Sequence, residues 1–330
     1  MPVLTLDQAQ QLAVQALTRC RTSAENALAV ARALVAAEAD GLKGHGLSRV
    51  PSYAAQARAG KVDGFATPSL ARPRPGVIAI DAANGFAYPA LDAAVSALPD
   101  IARAAGVAAA SIRRSHHCGA AGHPVERLAE QGLAALMFAN TPGAIAPWGG
   151  SRGVFGTNPI AFGCPLSDRP PIVVDLSLSK VARGNILAAK QRGDSIPAGW
   201  ALDSAGRPTT DPDAALAGTM LPLGDAKGTA LALAVELLAA GLTGANFAAE
   251  ASSFLDAEGP PPGTGQLIVA FDIIAFAGPG ALARFAALAA SIESQQGARL
   301  PGARRLAARR KAQAEGMEVT DALLAEIAAL

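Results

Sequence analysis

Aromatic residues make up only 4% of this 330-residue chain, and charged residues only 17%. The two signs nearly cancel, 28 basic against 27 acidic side chains, leaving a formal net charge of +1. With no excess of either sign, neither nucleic acid nor an anionic membrane is expected as a partner. Cysteine is scarce as well: Cys20, Cys118 and Cys164 are the only three. An odd, scattered set implies no disulfide framework and fits a reducing, cytoplasmic compartment. Long apolar runs are missing. The nearest is 228–242, which carries Glu236 and is too short to cross a bilayer core of about 30 Å. MPVLTLDQAQ lacks a basic segment followed by an apolar one, so no signal peptide is read. What remains is a chain with 51% hydrophobic residues, which excludes disorder and supplies a large core, enough for two lobes.

The first forty residues read as two helices. Thr5 with Gln8, and Thr22 with Glu25, both match the capping box, a hydroxyl followed three residues later by Glu or Gln. Leu28, Ala31, Leu34 and Val35 then recur at helical spacing, and Gly41 and Gly44 stop the run. A third helix is expected from about Ser48 through PSYAAQARAG. Beyond Gly64, prolines 68, 73 and 75 mark a connection, and GVIAIDAANG reads as a strand ending in a turn. A helix is expected over 90–105. AALMFAN, PIAFGCP, PIVVDLS and QLIVAFDII read as strands, and their continuous apolar stretches point to burial on both faces. The Pro-, Gly- and Asp-rich segment 193–223 reads as a long surface excursion, and helix returns from about Ala281. Both ends are thus helical around an α/β middle.

Four histidines serve the whole chain, and three lie in SHHCGAAGH, 115–123. Such density raises the possibility of a metal site. Yet His116 and His117 are adjacent, so on a strand they would point to opposite faces, and Cys118 and His123 complete no standard ligand spacing. The small residues favour a loop near a helix start around Pro124. There, backbone N–H groups could meet phosphate, or the glycines could simply serve a tight turn. GPGALA, 278–283, formally matches G-x-G-x-x-A, but no βαβ unit remains after it, so it reads as a turn and helix start. In GHGLSR, His45 and Arg49 are four apart. Arg49 could grip a carboxylate while His45 handles a proton, or the two could be an ordinary solvated helix start. The basic run ARRLAARRK, 303–311, is either a solvated helix face or a phosphate clamp.

Six blocks in order carry a resemblance: GHGLSRVPSY with ARAGKVDG, SHHCGAAGH, APWGG with GTNPIAF, VVDLSLSKVARGNI, TDP with LAGTMLPLGDAKG, and LPGARRLAARR. Together they resemble the malate/L-lactate dehydrogenase-like oxidoreductases, a non-Rossmann group. Within it, SHHCGAAGH, VVDLSLSKVARG and EASSFLDAEGPPPG look most like the Δ1-piperideine-2-carboxylate/Δ1-pyrroline-2-carboxylate reductases. The resemblance implies an α/β fold, with a non-Rossmann cofactor domain built on a mixed sheet flanked by helices. A helical lobe built from both termini would accompany it: residues 1–75 with 281–330 in the lobe, 76–280 in the NAD(P)-binding domain. It implies a homodimer and a small-molecule substrate. The implied reaction is NADPH-dependent (or NADH-dependent) reduction of a cyclic 2-imino acid, the alternatives being dehydrogenation of a 2-hydroxy acid or a non-catalytic cofactor binder.

Residue by residue, the resemblance makes His45 a proton donor and Arg49 the carboxylate anchor, with Thr157 near the substrate. His117, Cys118, Gly119, Ala120 and Ala121 would line the nicotinamide and phosphates, and some members give His117 the proton transfer. Asp175, Leu176 and Ser177 fall on cofactor contacts, as do Thr141 and Lys227. Pro301, Arg304 and Arg305 would approach the adenosine end, where an arginine pairing with a 2′-phosphate would favour NADP. Two positions depart from the pattern. Gly44 stands where many relatives have serine, and Asn185 stands at the acidic position of the ARG-[E/D]-I motif. His45 thereby loses both partners of a Ser–His–Asp relay, which a protonated ketimine tolerates better than a ketone does.

Overall fold

The computed structural model describes residues 2–330. After a short strand, β1 (Val3–Leu4), Thr5 closes a full capping box over α1 (Leu6–Arg19): its hydroxyl accepts from the Gln8 N–H, and the Gln8 side chain accepts from the Thr5 N–H. The second box does not form, and a single cap stands one residue from its expected place. Ser23, not Thr22, caps α2 (Ala24–Ala39), because Ser23 has the extended backbone an N-cap needs and accepts from the Asn26 N–H. Two short 3₁₀ turns over GHGLSR lead into α3 (Val50–Ala59), which ends at Gly60 with φ 75°.

The proline-marked stretch after Gly64 is a strand rather than a connection. β2 (Ser69–Arg74) is exposed along its whole length at the rim of the main sheet, the one place where a strand tolerates Pro73. It pairs with β3 (Val77–Asp81), and α4 (Ala87–Ala105) then crosses to β4 (Val107–Ser115), parallel to β3. The alanines of VAAASIRRS hide β4 from sequence reading, since alanine favours helix. Then follow α5 (Gly122–Ala129), β5 (Leu133–Ala139), β6 (Ile160–Leu166), β7 (Arg169–Leu176) and α6 (Arg183–Arg192). The expected surface excursion carries structure of its own. β8 (Ala201–Leu202), β9 (Pro208–Thr209), α7 (Pro212–Ala217) and β10 (Thr219–Met220) close over a small core of Val181, Ile186, Ile196, Ala201, Ala215 and Met220.

Next come α8 (Ala226–Glu236), β11 (Thr264–Asp272), α9 (Ile273–Ala277), α10 (Ala281–Glu293), α11 (Ala303–Glu315), β12 (Met317–Glu318) and α12 (Asp321–Ala328). GPGALA is the turn and helix start it resembles, with Gly278 at φ 67° and α10 beginning at Ala281. The main sheet runs β2-β3-β4-β11-β5-β6-β7, and among the described residues β3–β4 is its only parallel pair. This is the mixed sheet flanked by helices, with none of the successive parallel units of a Rossmann domain. Ile80, Ile112, Met137 and Ile268 of the sheet share one buried cluster with Leu91 and Leu98 of α4 and with Leu17, Leu34 and Ile327 of the terminal helices. The two chain ends meet where β1 pairs with β12. Among the described residues, no helix is long and apolar enough to cross a membrane.

ARRLAARRK is not a uniformly solvated face. Arg304, Arg310 and Lys311 are exposed, whereas Arg305 and Arg309 turn inward to two buried carboxylates. Arg309 Nε lies 2.6 Å from Asp40 Oδ1, and its Nη2 2.8 Å from Glu126 Oε2. Arg305 reaches the same pair at 3.2 and 2.9 Å. Burial by itself would raise the Asp40 pKa, but hydrogen bonds from Arg309 and His123 outweigh it and hold the carboxyl at about 2. Removing one partner strands buried charge, so Arg309→Ala is expected to lower unfolding free energy by about 3–5 kcal/mol, measured by urea denaturation at pH 7. A loss under about 1 kcal/mol would mean that the cluster behaves like surface ion pairs.

Candidate active site

The GHGLSR turns are shaped by Glu38, buried near the end of α2. Its carboxylate accepts the Leu47 N–H at 2.9 Å and Lys43 Nζ at 2.5 Å, and fills the space that a Cβ on Gly46 would need. Ser48 Oγ donates to the Lys43 carbonyl, and Arg49 Nε donates to the Gly44 carbonyl at 2.7 Å. So held, His45 and Arg49 approach His117 from the other motif. The two imidazoles stack with centroids 5.3 Å apart and planes 16° from parallel. His45 Nδ1 is buried without a protein partner, a polar atom that a bound substrate could satisfy. Gly44 is not a packing requirement: a Cβ there would meet nothing within 4 Å.

SHHCGAAGH does not splay its histidines as a regular strand would, because β4 ends at Ser115 and the next residues are irregular. His116 and His117 are both buried and both pack against Tyr53, with centroids at 5.3 and 6.1 Å. His116 Nε2 is 2.6 Å from Gln56 Oε1, while Gln56 Nε2 donates to the Phe254 carbonyl. His117 Nδ1 is 2.5 Å from the Tyr53 hydroxyl, which lies 3.1 Å from that of Tyr88. His123 belongs to α5, as expected, and bonds Asp40. Three clustered histidines thus have three separate employments.

Burial, then the charge of Arg49, pushes the His45 pKa down to about 4 and that of His117 well below the usual value. Burial, then Lys61 and Arg49, takes His116 to about 3. Burial also raises Tyr53 to about 12, so its hydroxyl keeps its proton. At neutral pH the pocket therefore holds uncharged imidazoles beside the Arg49 guanidinium, with Lys61 paired to Asp256 near His116.

The phosphate reading of the α5 N-terminus meets an obstacle. The helix starts at Gly122 rather than Pro124, and the Gly122 N–H already donates to Asp175 Oδ2 at 2.7 Å. His123 N–H bonds the Ala120 carbonyl, and Pro124 has no N–H. The loop's glycines serve close approach instead. Gly119, at φ 68°, lies so near Tyr88 that a Cβ would stand 2.7 Å from its hydroxyl. Several predicted residues do converge. The Gly122–Asp175 bond sets the loop of Cys118, Ala120 and Ala121 beside the end of β7, Gly302 passes the Val173 carbonyl, and the Leu178 N–H donates to the Thr157 carbonyl. Thr141 Oγ1 accepts the Thr157 N–H at 2.8 Å. Asp175, Leu176, Lys227, Pro301 and Arg304 are exposed and Ser177 half-buried, so Lys227, Arg304 and Ser177 offer polar groups to a dinucleotide. These residues fit such a cofactor.

Two expectations need correction. Asn185 does not join the histidines; it is exposed on α6, lining a separate cavity of about 490 Å³ with Ser195, Pro197 and Trp200. Arg305 is committed to Glu126 and Asp40, so Arg304 is the free arginine of that pair. Sequence reasoning also missed Tyr53, Tyr88, Gln56 and Phe254, and the fully buried Lys61 that bonds Asp256 at 3.0 Å. A signal existed for the first two: they are the only tyrosines in the chain.

Residues 4–328 match the family model described as malate/L-lactate dehydrogenase. The chain belongs to that family. It is thereby an NAD(P)-dependent oxidoreductase. It is 51% identical over 329 residues to a (2R)-3-sulfolactate dehydrogenase (NADP(+)) of Chromohalobacter salexigens, covering 99% of this chain and 97% of the relative. It is 42% identical to a Δ1-pyrroline-2-carboxylate/Δ1-piperideine-2-carboxylate reductase of Pseudomonas aeruginosa, covering 99% and 98%. The crystal structure of the Δ1-piperideine-2-carboxylate reductase from Pseudomonas syringae superposes with a TM-score of 0.93 at 40% identity, covering 99% of each chain.

The histidine shifts carry a stability consequence with a definite sign. A histidine whose folded pKa lies below its unfolded value stabilises fully above about pH 6.5, and that contribution fades as pH falls toward 4 at His45. His45→Gln should therefore gain on the wild type by about 1.4 kcal/mol for each pH unit between 6.5 and 4.5, read from urea midpoints at the two pH values. A stability difference independent of pH would show that His45 titrates normally.

Proposed function

We propose that this protein uses NADPH to reduce a cyclic 2-imino acid, converting Δ1-pyrroline-2-carboxylate to proline and Δ1-piperideine-2-carboxylate to pipecolate. The observation that carries the reading is the charge state of the pocket. Arg49 is a single cation suited to one carboxylate, His45 and His117 are held neutral, and among the described residues no carboxylate lies within ion-pair distance of either. A protonated ketimine brings its own proton, so it needs no charged acid from the protein, and its positive ring nitrogen is accepted more readily by neutral imidazoles than by imidazolium. The Pseudomonas relatives support the same substrate class. When bound, the reduced nicotinamide supplies the hydride. Cys118 to Ala121 would line it, Thr157 would face the substrate, and Thr141, Asp175, Leu176, Ser177, Lys227 and Pro301 would hold the rest of the cofactor.

A second reading, reduction of a 2-oxo acid to a 2-hydroxy acid, is favoured by the 51% identity to the sulfolactate enzyme. Initial rates with NADPH on Δ1-pyrroline-2-carboxylate, Δ1-piperideine-2-carboxylate, pyruvate, oxaloacetate and 3-sulfopyruvate separate the two. The imino acids should give the higher kcat/KM; a preference for any of the keto acids would reverse the assignment. NADP selectivity is assigned to Arg304, which is exposed and free to meet a 2′-phosphate. Arg304→Ala should lower the NADPH-to-NADH ratio of kcat/KM by about tenfold, a loss of roughly 1.4 kcal/mol. An unchanged ratio would place the selectivity elsewhere.

A further inference from the structure

Two tyrosines serve the whole chain, and the fold brings both to His117 from different helices. Tyr53 is fully buried on α3; its hydroxyl touches His117 Nδ1 on one side and the hydroxyl of Tyr88, on α4, on the other. Tyr88 in turn lines a cavity of about 480 Å³ between α2, α4 and α5, whose rim carries the exposed Arg32 and Arg127. Hydroxyls therefore run from His117 through Tyr53 to Tyr88, whose side chain borders that cavity.

The chemistry of the partner matters. A carboxylate or carbonyl at Nδ1 would fix the proton there and leave Nε2 permanently an acceptor. A phenol can donate or accept, so the proton of a neutral His117 is free to sit on either nitrogen. We propose that Tyr53 and Tyr88 are positioning residues that relay a proton to His117, so that this neutral imidazole acts as an acid toward a 2-oxo acid. This rests on the reading of the His45–Arg49–His117 pocket as the site of reduction.

As the carbonyl carbon takes a hydride from a reduced nicotinamide, its oxygen takes the proton of His117 Nε2. His117 Nδ1 takes the proton of the Tyr53 hydroxyl, Tyr53 takes that of Tyr88, and Tyr88 takes one from water in the cavity. The products are the 2-hydroxy acid, oxidised nicotinamide and the hydroxide left by that water, which solvent neutralises. A protonated imino acid needs the hydride alone. His117 then presents Nε2 as acceptor to the ring N–H, and its Nδ1–H donates to Tyr53. The relay is thus required by one substrate class and idle with the other.

Tyr53→Phe deletes one hydroxyl and keeps the ring. It should lower kcat on 2-oxo acids by about tenfold or more, while kcat on imino acids changes less than about twofold. Tyr88→Phe shortens the relay by one proton, so it should lower the keto-acid rate less and give a smaller solvent deuterium effect than the wild type shows. Equal losses on both classes would reveal a merely structural role and overturn the relay, as would no loss on either. A readout independent of turnover is the 15N shift pair of the His117 ring at pH 7. It should report a neutral ring whose Nδ1 and Nε2 shifts change in Tyr53→Phe; a charged ring, or shifts the same in both proteins, would overturn the relay. If the wild type reduces no member of the panel, the functional reading fails while these shifts still decide the relay. If it reduces only one class, the shifts decide as well.

Discussion

Asp40 is wholly buried at the end of α2, and three segments that the site needs meet on its carboxylate. His123 brings the loop that follows β4, Arg305 and Arg309 bring α11, and Asp40 itself stands five residues before His45. Glu126 doubles the negative charge on the same guanidinium pair, fixing α5. Four charges out of water are tolerated only when each is paired and hydrogen-bonded in good geometry. Such a cluster does not permit the C-terminal helix to dock approximately. The position of the GHGLSR turn relative to the loop after β4 follows from that demand.

A second buried carboxylate does similar work on the opposite side. Glu236, at the end of α8, accepts from Asn140, from Asn158 and from the Ala248 N–H at 2.6 Å. Burial raises its pKa despite these donors. Asn158 sits at φ 39° in the left-handed region, held there by its bonds to Glu236 and the Ala232 carbonyl. Its neighbour Thr157 is thereby directed at Thr141 and at the segment after β7. Two charged hubs thus hold the pocket from outside, and the pocket keeps its own imidazoles neutral. That division lets polar chemistry proceed among groups whose charge state is set by burial rather than by a nearby acid.

Local order was legible wherever the physics is local. Capping hydroxyls, helical apolar spacing, left-handed glycines and β-branched runs act within a few residues, so α1 to α4, the strands β3, β5, β6, β7 and β11, and the terminal helices could be read directly. The failures are equally physical. β4 is alanine-rich yet central, β2 carries a proline yet lies at an edge, and Thr22 lost its cap to Ser23 by a single residue. In each case the neighbouring strand or the core decided what propensity left open.

The sequence by itself determined which residues are the candidates for the chemistry: His45 and Arg49 in one motif, His117 in another, and small residues between helix and strand. Only the tertiary structure decided what each of them faces. It set His117 against Tyr53 and Tyr88, turned Arg305 into an internal ion pair and left Arg304 outside, and put Asn185 on an exposed helix face away from both histidines. The reason is that motifs specify residue type at short separation, whereas a proton partner or an ion pair depends on which distant segment packing delivers to within about 3 Å.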